Sequence, residues 1–163
     1  MLYEFEDIKL RKFTIQGDHM FKKVLLPIPG DGLKKVDIKK IIGAIGADVR
    51  KLTLVFVSDA FPSYIYGEYA DVTAISEADY RKACKSFADK LLTKVGSKLS
   101  GITYETCHIY NINITDGIID AAKKSKADLI VMPSHKRAGL AGVFLGSETH
   151  RVILSTKLPV LVV

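Results

Sequence analysis

The chain has 163 residues, 48% of them apolar, which is enough for one domain with a substantial core. No apolar run nears the roughly 20 residues that a bilayer span requires. The opening MLYEFEDIKLRK carries acids where a secretory signal would be basic and then apolar, so a cytoplasmic protein without a membrane partner is expected. Cys84 and Cys107 read as reduced, partly buried thiols, and no Cys/His spacing suits zinc, so no metal ligand is assigned. The net charge of +6 comes from scattered lysines. Lys34, Lys35, Lys39 and Lys40 flank the first expected helix, and Lys123, Lys124 and Lys126 close the third. They read as a solvated basic surface that complements helix dipoles. With no aromatic stacking platform or groove-reading motif, the sequence argues against nucleic acid.

Residues 1–19 form an N-terminal extension. Tyr3, Phe5, Ile8, Leu10, Phe13 and Ile15 alternate imperfectly, as in a strand or small hairpin, and a disordered extension is the other reading. From Met20 the pattern alternates between short apolar runs and amphipathic stretches. Val24–Ile28 is the first expected strand, and Pro29-Gly30-Asp31-Gly32 is a turn by composition. A helix follows over about 33–46, with Leu33, Ile38, Ile41, Ile42 and Ile45 on one face and Gly46 as its stop. Leu52–Val57 is the second strand. The long connection 58–74 concentrates Phe61, Tyr64, Tyr66 and Tyr69, which suit fold-back or subunit packing, with a ligand lid as the alternative.

Ser76-Glu77-Ala78-Asp79 opens the second helix with a capping-box pattern, and Tyr80, Ala83, Phe87, Leu91 and Val95 give it an apolar face. Ile102–Ile109 alternates as an edge strand, with His108 on its polar, exposed phase. Thr115-Asp116 starts the third helix, with Ile118, Ile119 and Ala122 facing inward. Leu129–Met132 is a strand buried on both faces. A polar segment from Pro133 leads to Gly146-Ser147-Glu148-Thr149, a helix start with hydroxyl caps and an acidic first turn. Pro159 ends that helix, and Val160–Val163 is the last strand.

The final third resembles the universal stress protein (UspA-like) family. Asp128-Leu129-Ile130-Val131-Met132, Leu145-Gly146-Ser147 and the closing Lys157-Leu158-Pro159-Val160-Leu161-Val162-Val163 carry the likeness, which extends back to Met20. The resemblance implies a single domain over 20–163. Its fold would be α/β and Rossmann-like (adenine nucleotide alpha hydrolase-like): a five-stranded parallel sheet of order 3-2-1-4-5 with helices on both faces. Ligands of such sheets bind beyond the C-terminal strand ends, where strand order reverses.

Members of the family that hold ATP carry G-x2-G-x9-G-[S/T]. Counted back from Gly146-Ser147, the first two glycines fall on Pro133 and Lys136 here, while Gly139 and Gly142 have the right mutual spacing but lie too close to Gly146. Similarly, the aspartate that ATP-holding relatives carry at the end of strand 1 is replaced by Pro29, with Asp31 two residues later.

The residues that the resemblance places at a nucleotide or anion site are Val57, Pro133, Ser134, His135, Lys136, Arg137, Gly146, Ser147 and Glu148. No catalytic constellation is visible at chemical spacing. The expectation is therefore a non-catalytic, dimeric stress-response binding module with a degenerate nucleotide loop and no obligatory cofactor. The alternative is a switch that binds ATP with Mg, slowly hydrolysing it or not, with Lys136 and Arg137 on its phosphates. The terminal strand would expose unpaired backbone at a sheet edge. A homodimer through Val160, Leu161, Val162 and Val163 removes that liability, and the resemblance implies the same dimer.

Overall fold

A computed structural model describes residues 21–32, 38–46, 49–60, 75–99, 101–133 and 146–163. Among the described residues nine elements alternate: β1 (Lys23–Pro27), α1 (Ile38–Ile45), β2 (Lys51–Ser58), α2 (Glu77–Gly96), β3 (Tyr104–Tyr110), α3 (Ile114–Ser125), β4 (Leu129–Met132), α4 (Ser147–Ser155) and β5 (Val160–Val162). The strands form one sheet in the order β3-β2-β1-β4-β5, and every pairing is parallel. This is the doubly wound arrangement expected from the β-α alternation. The N-terminal extension and the tyrosine-rich connection over 61–74 lie outside the described residues.

Period-2 alternation divides the strand side chains between two cores. Val24, Leu26, Leu52, Leu54, Leu129 and Val131 face a layer built by Ile41 of α1 and by Leu92 and Val95 of α2. Leu25, Val55, Ile130 and Met132 face the opposite layer, with Ile118, Ala121 and Ala122 of α3 and Val152 of α4. Both faces of β1 and β4 are therefore covered, which explains their unbroken apolar runs.

Local chemistry fixes the helix ends. Gly46, at φ +78°, closes α1, and its N–H reaches the Ile42 carbonyl at 3.1 Å. Ser76 caps α2 as its sequence promised: Oγ accepts from the Asp79 N–H at 3.1 Å and donates to Asp79 Oδ2 at 2.7 Å. Asn113 caps α3, accepting from the Thr115 and Asp116 amides. By contrast, α4 departs from expectation. Gly146 is its N-cap and makes no side-chain cap bond, so the expected hydroxyl cap is not formed.

Two further expectations are corrected. The first half of the proposed α2 stripe does not enter the core. Phe87 is 49% exposed and Ala83 is exposed, while burial moves to Ala88, Leu92, Val95 and Gly96. The reason is geometric: α2 outlasts the sheet, so its N-terminal turns overhang the ends of the strands. Nor is His108 a freely exposed residue. It is half-buried, bonded to Ser58 Oγ at 2.8 Å through Nε2, and packed against the Tyr110 ring at 4.4 Å between centroids.

Candidate functional site

The overhang of α2 creates a cleft. The strands β1 and β2 end beneath it, and the first turns of α3 close its other side. An open cavity of about 540 Å³ results, lined from the strand ends by Pro27–Gly30 and by Val55, Phe56, Val57, Ser58 and Asp59. Tyr80, Ala83, Cys84 and Phe87 of α2 form one wall, and Ile114 and Ile118 of α3 the other. The cavity thus straddles the C-terminal edge of the sheet, where doubly wound folds bind their ligands.

The α2 wall is held by specific bonds. Tyr80 Oη donates to the Asp59 carbonyl at 3.1 Å, tying the helix to the end of β2. Burial, with a bond to Cys84 second, pushes the Tyr80 phenol above its ordinary range. Tyr110 Oη donates to the Arg81 carbonyl at 2.6 Å, and the Arg81 guanidinium lies 5.1 Å from the Tyr110 ring centroid. Phe56 packs on Phe87 at 5.5 Å between centroids. Behind them, burial holds the His108 imidazole below its usual range, so that Ser58 and His108 form a neutral pair.

On the α3 wall, Val57 packs directly on the backbone of Gly117. The two β1-turn expectations resolve differently. Pro29 lines the cleft, while Asp31 is exposed in a turn closed by the Gly32 N–H on the Pro29 carbonyl at 2.8 Å. Asp31 therefore performs the turn-forming role its sequence context suggested.

The remaining predicted site residues fall into four groups. Val57 lines the cleft. Pro133 ends β4, half-buried; Gly146 and Ser147 open α4, with Ser147 exposed. Ser134, His135, Lys136 and Arg137 lie outside the described residues. Glu148 is already engaged, accepting from Thr115 Oγ1 at 3.1 Å and lying 3.6 Å from Arg151, so that it ties the start of α4 to the start of α3. Among the described residues, no group of His, Cys, Asp and Glu is placed to hold a metal ion.

Sequence reasoning missed the α2 wall. The signal was present in Tyr80, Ala83 and Phe87, but at helical spacing an apolar stripe reads as core whether it meets a core or a cleft.

Comparison with known proteins agrees with this architecture. The model of the universal stress protein family matches residues 20–163. The chain belongs to the universal stress protein family. It is 27% identical over 157 residues to a universal stress protein of Methanocaldococcus jannaschii, covering 94% of this chain and 88% of the relative. A universal stress protein of Thermus aquaticus is 27% identical over 144 residues, covering 88% of this chain and 99% of its own. Among solved structures, a family member from Burkholderia pseudomallei superposes with a TM-score of 0.60 at 17% identity, covering 90% of this chain and 98% of its own. A universal stress protein in complex with cAMP superposes with a TM-score of 0.54 at 20% identity, covering 88% of this chain and 97% of its own. Among the described residues, no helix is long and apolar enough to cross a membrane.

Proposed function

We propose that this universal stress protein is a non-catalytic, dimeric stress-response module whose cleft binds the nucleoside end of an adenine nucleotide. The observation that carries the reading is the cleft itself. It lies over the ends of β1 and β2, its walls are largely apolar and aromatic, and Asp59 is the charged side chain in its described lining. Such a surface suits a flat, uncharged ring system and offers no cation for a triphosphate among its described residues. A structural relative in complex with cAMP supports the same ligand class.

A second reading has one observation of its own. The start of α4 is capped by Gly146, which makes no side-chain cap bond, so no capping side chain competes with an anion for its first amides. An ATP-binding switch would use that helix start for the phosphates of Mg-ATP, with Lys136 and Arg137 adding charge. The metal would arrive with the nucleotide as Mg-ATP; among the described residues no group of three or more His, Cys, Asp or Glu is placed to hold one.

The dimer is read from β5. It is an edge strand whose residues are only half-buried, and Ile153 and Leu154 of the neighbouring α4 are 39% and 73% exposed. A twin packed across a two-fold axis would pair the edge and cover these side chains together.

The test is calorimetry with AMP, cAMP and Mg-ATP on the wild-type protein and on Ala83→Phe, which fills the cleft from an exposed position. The primary reading expects all three ligands to bind with comparable affinity and the variant to lose them. At least about tenfold preference for Mg-ATP, removed by Lys136→Ala with Arg137→Ala, would favour the switch. No heat with any ligand at millimolar concentration would sink both.

A further inference from the structure

The end of the sheet opposite the cleft gathers a row of cations. In an all-parallel sheet every strand begins at the same edge, so residues that precede the strands form a row. Each strand here is preceded or opened by a cation. In spatial order these are Lys98 in the turn before β3, Lys51 opening β2, Lys23 opening β1, Lys126 before β4 and Lys157 before β5. Strands lie about 4.8 Å apart, so the row spans about 20 Å. Lys22 and Arg50 double it at the two central strands, and both are exposed.

Two carboxylates near this row are already engaged. Asp128 accepts the backbone amides of Lys22 and Lys23 at 2.9 Å each, and Glu105 is shared by Lys51 and Thr53. Lys22, Lys23, Arg50, Lys98, Lys126 and Lys157 make no ion pair with any described residue. Lys94, Lys123 and Lys124 lie in the last turns of α2 and α3. Lys126 is the C-cap of α3, and Lys98 and Lys157 directly follow the C-caps of α2 and α4, so helix carbonyl ends and strand starts place cations along the same edge. The sequence alone showed scattered lysines; the fold gathers them along one edge.

We propose that this edge binds the phosphodiester backbone of a nucleic acid, without reading its bases. A line of cations with flanking charges matches a linear polyanion whose phosphates repeat along one direction. Among the described residues of this edge no aromatic ring is exposed to stack a base, Phe21 and Tyr104 being half-buried, so a contact through these cations is sequence-independent. Among the described residues between each helix end and the strand that follows it, no large apolar side chain is exposed, although Leu154 in the last turn of α4 is, so the charge there is not interleaved with the apolar side chains that a membrane-adsorbing surface adds.

The experiment is fluorescence anisotropy with two labelled DNA duplexes of about 20 base pairs and unrelated sequence. They are titrated at several salt concentrations with the full-length protein. Three proteins are compared: wild type, Lys23→Gln/Lys126→Asn/Lys157→Gln, and a control of equal charge loss on the exposed flank of α2, Lys82→Gln/Lys85→Gln/Lys90→Gln. Asn at 126 suits the left-handed backbone there, at φ 54°. All the substituted side chains are exposed, and circular dichroism checks the fold. Wild type is expected to bind both duplexes within about threefold of each other, with a log–log salt slope of about −3 or steeper. The strand-start variant should bind at least about tenfold more weakly, and the control within about twofold of wild type. The proposal is overturned by absence of binding at about 50 mM salt, by equal losses in variant and control, or by binding to phosphatidylserine vesicles without binding to either duplex.

Discussion

The contact between Val57 and Gly117 joins the cleft floor to α3, and it can be tested by adding one carbon. A Cβ built on Gly117 would lie 2.6 Å from Val57 Cγ1, 3.0 Å from Val57 Cγ2 and 3.3 Å from Asn111 Cβ. Ordinary carbon contact is about 3.5–4.0 Å, so Gly117→Ala creates an overlap of about 1 Å. Val57 cannot turn away freely, because a β-branched side chain in a strand has few χ1 choices. Either α3 lifts from the sheet or Val57 takes a strained rotamer, at about 1–3 kcal/mol. Alanine returns up to ~1 kcal/mol of helix propensity, but less in the first turn, where Gly117 sits. The expected net loss is about 1–2 kcal/mol, or a Tm lowered by about 3–6 °C for a chain of this size. Val57→Ala alone should cost about 1 kcal/mol, since the side chain is only half-buried. Together the two should cost less than their sum by about 1 kcal/mol, because the second removes the atoms the first collides with. Urea unfolding at one fixed protein concentration measures all four corners of this cycle, and the fixed concentration removes any contribution from self-association. A Gly117→Ala protein as stable as wild type, or strictly additive losses, would refute the packing argument.

Three other expectations follow from single residues. Ile130 is fully buried between β1 and β5, so Ile130→Ala should cost about 2–5 kcal/mol by the same unfolding assay. Lys126 holds φ 54° at the end of α3, a conformation that penalises a side chain; Lys126→Gly should therefore raise stability by about 1 kcal/mol in that assay. Burial holds the His108 pKa below its ordinary 6.5, with Asp89 opposing the shift and Lys85 reinforcing it. The unfolded chain therefore takes up this proton first as pH falls. The contribution of His108 to stability is complete above pH 6.5 and is lost as pH falls through the lower folded value. An NMR titration of the imidazole should give a midpoint below 6.5, and a midpoint at or above it would contradict the neutral Ser58–His108 pair.

The interior strands were legible because burial on both faces leaves short, unbroken apolar runs bounded by turn residues. Leu129–Met132 and Val24–Ile28 could hardly be anything but interior parallel strands, and the family resemblance then fixed their order. The helix caps at Ser76 and Asn113 show why some ends were easier than others. A hydroxyl three residues before an acid declares itself, whereas an Asn in a polar turn is one of several candidates. The cleft was only half legible. The resemblance places Val57 at the end of β2, but the residues from Tyr80 to Phe87 read only as the apolar face of a helix, with nothing to say that a cleft lies opposite. Periodicity records that a face is covered or apolar, not what lies opposite it. His108 failed for the converse reason. Alternation put it on a polar phase, and the register that sets it beside Phe56 and Ser58 is a long-range fact that no local pattern contains.

The parallel sheet gives its two ends opposite electrical characters, and salt should separate what binds at each. At the cleft end the helices begin, and acids occupy their first turns: Glu77 and Asp79 on α2, Asp116 on α3 and Glu148 on α4. These offset the positive dipole ends, while the described cleft lining adds only the carboxylate of Asp59. A ligand held there through its ring system gains little from bulk charge. Its affinity should change by no more than about fourfold between 50 and 200 mM salt, with a log–log slope of about −1 or shallower. At the strand-start edge the lysine row meets water, and a polyanion that displaces counterions from it must lose affinity steeply over the same range. Calorimetry with AMP across a salt series therefore reports which end the nucleotide uses. A steep slope, abolished by Lys23→Gln/Lys126→Asn/Lys157→Gln but not by Ala83→Phe, would move the nucleotide out of the cleft and onto the basic edge, and with it the whole reading of the cleft as a nucleoside site.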